Sequence, residues 1–296
     1  MAHRSPAPLA PRAPFASLAA LAPVRDRASA LDRRQLLRRL GLGLAALPLV
    51  SACHDLGAGD GPDAATTTGA DGGAPSSWAR GGTAAMTAKA SYPNPFGGAA
   101  TSCALIATVT EGPCTTQTTL DREDVSEGWA GLPVRLALQI VDASCAAVAG
   151  AQVKIWHTNL AGSYSGATPN PTMCLQQQSY ASQDFFRGAR TTAADGTVYF
   201  DTCFPGWYRG RAVHIHVQIS RNGTTYKVAQ LFFPESLTQE IFAGHPDYRG
   251  YGPPDTTFAT DNVIATIPAA QRERGIVDHA WMSDGALLAS KVITVL

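Results

Sequence analysis

The chain of 296 residues lacks any long hydrophobic run, since its most apolar stretch, residues 40–50, is far too short to span a bilayer as a helix. None of its six cysteines forms a C-x-x-C pair, which argues against a zinc knuckle or a thiol-redox motif. There is no internal repeat, and helical periodicity is scarce, with one short stretch at 237–243. An excess of basic charge is missing as well. The whole chain carries 23 basic and 23 acidic residues, but residues 1–53 hold eight arginines against two aspartates, so the remainder is near −6. No basic stripe survives in that remainder, which excludes nucleic acid as a partner.

What is present divides the chain in three. Residues 1–53 combine a basic region ending in Arg33-Arg34-Gln35-Leu36-Leu37-Arg38-Arg39, the apolar stretch, and then Ser51-Ala52-Cys53. That order is expected of a signal peptide, and the paired arginines before a modestly hydrophobic core resemble a twin-arginine export signal. Val50-Ser51-Ala52-Cys53 also resembles a bacterial lipobox, in which Cys53 would carry a lipid anchor; the alternative is an ordinary cysteine past a conventional cleavage site. Residues 54–98 are rich in Gly, Ala, Ser and Thr and are expected to form a flexible tether. Residues 99–296 are the expected folded domain, long enough for one core. This organisation describes a periplasmic, extracellular or envelope-anchored protein. Cys103, Cys114, Cys145, Cys174 and Cys203 would then give two disulfides and one thiol, in a pairing the sequence leaves open.

Within the domain, alternating apolar and polar residues predict strands at 132–141, 152–157, 196–202, 213–219, 226–233 and 286–295. Asp195-Gly196 and Asn222-Gly223 mark turns between them. Short, evenly spaced strands with Gly/Pro turns predict an all-β fold, an antiparallel β-sandwich with little helix. The strand at 213–219 carries His214-Ile215-His216. Residues two apart on a strand share a face, so the imidazoles stand side by side and can offer two nitrogens to one metal ion. By itself such a pair is as well explained by surface histidines. Its neighbours, Pro205-Gly206-Trp207-Tyr208 and Arg211, add a phenol and a guanidinium at the turn that feeds the strand.

Two further segments complete a pattern. Trp156-His157-Thr158-Asn159 leads through Gly162 to Tyr164-Ser165, and Arg187-Gly188 leads through Thr191 to Gly196. With Pro205-Gly206-Trp207-Tyr208 running into His214-Ile215-His216, and with Thr110-Glu111-Gly112-Pro113 upstream, this order resembles the intradiol ring-cleavage dioxygenases, in particular their compact exported branch. The resemblance covers about residues 103–296. It implies a non-haem Fe(III) held by Tyr164, Tyr208, His214 and His216, with Arg211 and Gln230 beside the reacting centre. It also implies a small catecholic substrate and O2, cleavage between the two hydroxylated carbons, and a muconate-type product. Tyr208 would be the ligand that leaves on substrate binding and takes a substrate proton. Two phenolates and two imidazoles are a hard, anionic donor set suited to a trivalent ion.

Tyr208 lies six residues before His214, where larger relatives carry a long excursion, so a more open pocket is expected and the particular catechol is not implied. Cys114 stands where many relatives have an aromatic residue, and the helical dimerisation segment of the catechol enzymes has no counterpart, leaving oligomeric state open. Trp156 reads as core packing, with His157 pointing away from the metal. Trp207 reads as an aromatic platform or a buried anchor, and His245, Tyr248 and Tyr251 as a surface loop or pocket mouth. Two other functions compete: a non-catalytic exported β-sandwich binding an aromatic ligand, metal or carbohydrate, and a zinc hydrolase built on His214 and His216. The hydrolase lacks a clear third His or carboxylate ligand and a placed base.

Overall fold

The computed structural model describes residues 77–97, 103–117 and 120–295. The leader, the lipobox at Cys53 and most of the tether lie outside the described residues. Eight strands form two four-stranded sheets. In chain order they are β1 (Pro133–Val141), β2 (Gln152–Trp156), β3 (Arg187–Thr191), β4 (Thr197–Cys203), β5 (His214–Arg221), β6 (Thr224–Phe232), β7 (Asp278–Trp281) and β8 (Leu287–Thr294). One sheet has the order β4-β1-β8-β7 and the other β3-β2-β5-β6. All pairings are antiparallel except β1 with β8, so the expected all-β sandwich is found with one parallel pair inside it.

Alternation explains the layers. Val134, Leu136, Leu138 and Ile140 of β1 and Ile215, Val217 and Ile219 of β5 all belong to one buried apolar cluster that fills the space between the sheets. The β5–β6 hairpin closes through Asn222-Gly223 with φ of 52° and 76°, the left-handed pair whose twist matches that of the strands. Among the described residues, helix is confined to short pieces, including α1 (Pro171–Cys174) and α2 (Glu235–Gly244), the second where apolar spacing predicts it. None is long and apolar enough to cross a membrane.

Two expectations need correction. Composition assigns residues 77–97 to a tether, yet Ala79 N donates to Gly285 O, Trp78 packs edge-on against Trp281 and His245, and Tyr92 Oη donates to Asp284. A few aromatic anchors outweigh a Gly/Ala-rich average. The same packing removes His245 and Tyr248 from any surface loop, for both are fully buried. Their polar atoms are satisfied inside, His245 Nε2 by Ala79 O at 3.0 Å and Tyr248 Oη by Phe204 O at 2.6 Å. Tyr251 alone of the three is exposed. Strands β3 and β7 are absent from the sequence expectation; Arg187–Thr191 has no apolar alternation to mark it.

Candidate metal centre

Because Ile215 and Val217 face the core, His214 and His216 must project from the outer face of the second sheet. Strand register sets a row there. Arg187 pairs with Trp156, Trp156 with His216, and His216 with Gln230, one residue from each of the four strands. An outer sheet face is normally wet, yet all four side chains are buried, as is His214. Connections laid over the face exclude the water. One of them carries Gly112, where an added Cβ would lie 3.6 Å from His216 Cε1.

The other two connections deliver the phenols. Tyr164 follows the tight turn Asn159–Gly162, in which Asn159 Oδ1 accepts from the backbone N–H groups of Ala161 and Ser163. Gly162, at φ +83°, lies so close to the chain at Trp207 that a Cβ would come within 2.1 Å of Trp207 O. Only glycine lets the Tyr208 connection settle on the Tyr164 turn. Trp207 is anchored there, its Nε1 donating to Gly252 O at 3.1 Å, so it serves as the turn's anchor.

Four donor atoms consequently converge. Tyr164 Oη is 3.4 Å from Tyr208 Oη and 3.5 Å from His214 Nε2, while His214 Nε2 is 3.4 Å from Tyr208 Oη and 3.2 Å from His216 Nε2. These are long for hydrogen bonds. They match the spacing of ligands around one ion, which stand roughly 3.0–3.6 Å apart when each is about 2.0–2.2 Å from the metal. Orientation agrees. His214 Nδ1 lies 2.6 Å from Ala212 O, and a carbonyl can only accept, so Nδ1 carries the proton and Nε2 turns its lone pair to the cluster. Trp156 stacks flat on His216, with ring centroids 4.7 Å apart and 5° between planes. It is core packing, as expected, and it fixes a donor's plane. His157 faces elsewhere, bound to Thr158 O and Thr202 Oγ1.

Burial dominates the electrostatics. It pushes the Tyr164 hydroxyl well above the ordinary tyrosine range, with the neighbouring Tyr208 adding to the rise. Tyr208 is raised by burial too, against the opposing pull of Arg211. Burial takes His214 down to about 3, helped by Arg211, and takes His216 well below its usual range, helped by His214. Without a cation the cluster is two neutral phenols and two neutral imidazoles. A bound multivalent ion inverts that preference for the phenols, stabilising both as phenolates in a dry site.

Arg211 and Gln230 both lie beside the cluster. Arg211 Nη1 donates to Tyr208 Oη at 3.4 Å and Nη2 to Gln230 Oε1 at 2.5 Å. Three residues to which the sequence assigns no role at the site also lie around it. Asp261, fully buried, receives Arg211 Nε at 2.9 Å and Ala212 N at 2.8 Å through Oδ2. Its Oδ1 caps a short helix by accepting from Val263 N and Ile264 N. An Asp before the apolar Val263-Ile264 is a legible cap; its partner fifty residues upstream is not. Arg187 lies beneath Tyr164, its guanidinium carbon 5.9 Å from the ring centre. Lys154 approaches the Trp156 ring at 5.6 Å. Among the described residues no three His, Cys, Asp or Glu side chains come together, so a zinc site completed by a third His or carboxylate has no geometric support.

No protein-family profile matches the sequence, and no curated protein matches it either. Solved structures do match. An intradiol ring-cleavage dioxygenase from Tetranychus urticae is similar at 29% identity with a TM-score of 0.57, over 65% of this chain and 94% of that one. A second dioxygenase structure is similar at 29% identity with a TM-score of 0.58, over 66% of this chain and 95% of that one. The fold is a dioxygenase fold, and the likeness to intradiol ring-cleavage dioxygenases carried by the motifs is found again in three dimensions.

Proposed function

We propose that this chain is a non-haem ferric dioxygenase that opens catecholic rings between the two hydroxylated carbons, placing both atoms of O2 in a muconate-type product. The single observation that carries the reading is the convergence of Tyr164 Oη, Tyr208 Oη, His214 Nε2 and His216 Nε2 at ligand spacing in a buried setting. Two phenolates favour a hard trivalent ion over zinc or copper(I). When bound there, ferric iron would polarise a chelated catechol and draw electron density from it, making a ring carbon reactive toward dioxygen.

The chain's own residues divide the remaining work. Tyr208 is the less buried of the two phenols and sits in a connection, so it can give up its place to a substrate oxygen, and its Oη can take the substrate's proton. Arg211, clamped by Asp261 and Gln230, holds a fixed positive charge beside Tyr208 Oη, where it would stabilise negative charge developing on a bound substrate. Trp156 and Ala212 orient the imidazoles. The disulfides are consistent with export to an oxidising compartment, a proposal the leader motifs share.

The test is a visible absorption spectrum of the purified, iron-reconstituted protein before and after anaerobic addition of catechol. A broad phenolate-to-iron band moving to longer wavelength on catechol addition is expected. A protein that stays colourless would overturn the reading and favour a binding module on the same scaffold.

A further inference from the structure

Of the two donors that no strand holds, Tyr164 is the more deeply buried. His214 and His216 are fixed by the β5 ladder, but Tyr164 lies in the long connection between β2 and β3. Its backbone N–H donates to Cys174 O at 2.9 Å. Cys174 closes α1 and is disulfide-bonded to Cys114. Cys114 follows two residues after Gly112, the residue laid against His216. Arg187 ties the same parts from beneath, its Nη2 donating to Cys114 O at 2.7 Å and to Ser165 O at 2.6 Å. Both half-cystines are buried and pack in one cluster with Trp156 and Tyr164, with Tyr208 against it.

Resting on the ferric reading, we propose that Cys114–Cys174 is a positioning element of the metal centre: it clamps the Tyr164 connection to the Gly112 connection around His216. Retention of the ion then depends on this bond being oxidised. Reduction by a dithiol would break the S–S bond and give two thiols, taking two electrons and two protons from the reagent as it closes to its own disulfide. Tyr164 would then keep a backbone hydrogen bond to a segment no longer tied covalently to the Gly112 connection. The geometry is specific to this pair. Cys103–Cys145 joins the start of the domain to the turn after β1, on the other sheet. The sequence separations, 42 residues for Cys103–Cys145 and 60 for Cys114–Cys174, are similar enough that removing either should relax the unfolded chain to a comparable degree.

That similarity supplies the control. Full-length protein, Cys114→Ser/Cys174→Ser and Cys103→Ser/Cys145→Ser would each be loaded with iron and challenged with a chelator, following iron release and the visible band. The first variant should release iron about ten-fold faster or more, with a displaced or weakened band, as loss of support behind a ligand does. The second should match the parent protein. Equal release from the two variants, or parent-like release from the first, overturns the proposal. Should the first variant not fold, the parent protein is treated with a dithiol and alkylated, and band loss must track alkylation of Cys114 and Cys174. A band that persists once both are alkylated also overturns it. A folded parent protein that takes up no iron defeats the ferric reading itself, a result distinct from parent-like iron retention in the variant.

Discussion

Asp261 shows how one buried carboxylate can both hold a residue of the candidate site and cap a helix. One oxygen holds Arg211 and Ala212, and the other caps the helix that follows. Burial opposes its ionisation, but Arg211 and the backbone N–H groups outweigh that and hold the carboxyl below the usual range. Asp261→Asn separates the roles, because Asn is as good a cap as Asp but gives the guanidinium no charge partner. Iron content and the visible band should persist while kcat/KM falls by about 10²-fold, the scale set by losing one preorganised electrostatic contact; unchanged steady-state kinetics would remove Asp261 from the site. Tyr208→Phe makes the complementary change. It should retain iron through the other three donors, lose most turnover and shift the colour, whereas unchanged activity and spectrum would refute the assigned role of Tyr208.

At the scale of elements, the register of the second sheet does what no single motif could. It aligns Arg187, Trp156, His216 and Gln230 across four strands, so each is backed by its neighbour. Trp156→Ala would open a cavity behind the His216 imidazole. We expect a loss of about 3–5 kcal/mol of stability, as for other buried Trp truncations, with weakened iron binding; urea unfolding and metal analysis check both. Much of this was legible in the sequence. Alternation gave β1, β5 and β6 to within a residue or two, and period-two spacing put the histidines on one face. The four donors were legible because two motifs place phenols in Gly-rich turns. What was not legible is non-local. The row from Arg187 to Gln230 needs strand order and register, the disulfide pairing needs the fold, and β3 is a strand because its neighbours pair with it despite a sequence without alternation. The segment 77–97 misleads for the opposite reason: its average composition is that of a linker, while Trp78 and Tyr92 find partners near the far end of the chain.

At the scale of the whole molecule, acid stability reports how the two sheets are joined. His157 stands at the end of β2 and reaches Thr202 of β4 in the other sheet, with Nε2 2.6 Å from Thr202 Oγ1 and Nδ1 donating to Thr158 O. Its ring is fully buried against Phe186, and burial, with a smaller contribution from Arg187, lowers its pKa to about 4. The unfolded chain takes up this proton near pH 6.5 and the folded chain only near 4, so stability falls as the pH drops through that window. The full loss is on the order of 3 kcal/mol, from 1.36 kcal/mol per pKa unit. Glu123 acts in a lower window. Burial opposes its ionisation, but Arg135, Arg190 and Lys89 together bring its pKa down to about 2. Its support is complete above the ordinary carboxylate range and disappears as the pH falls toward 2. Glu123 joins β1 of the first sheet to β3 of the second and to the segment holding Lys89, so its protonation loosens a second joint between the sheets, at lower pH than the one made by His157. Thermal unfolding of the iron-free protein between pH 7 and 4, compared with His157→Gln, isolates the first effect because every other titrating group is common to both. The parent protein should lose more stability than the variant over that window. Parallel profiles would mean that His157 is protonated in the folded state at no cost, and that the joint between the sheets does not depend on its neutral form.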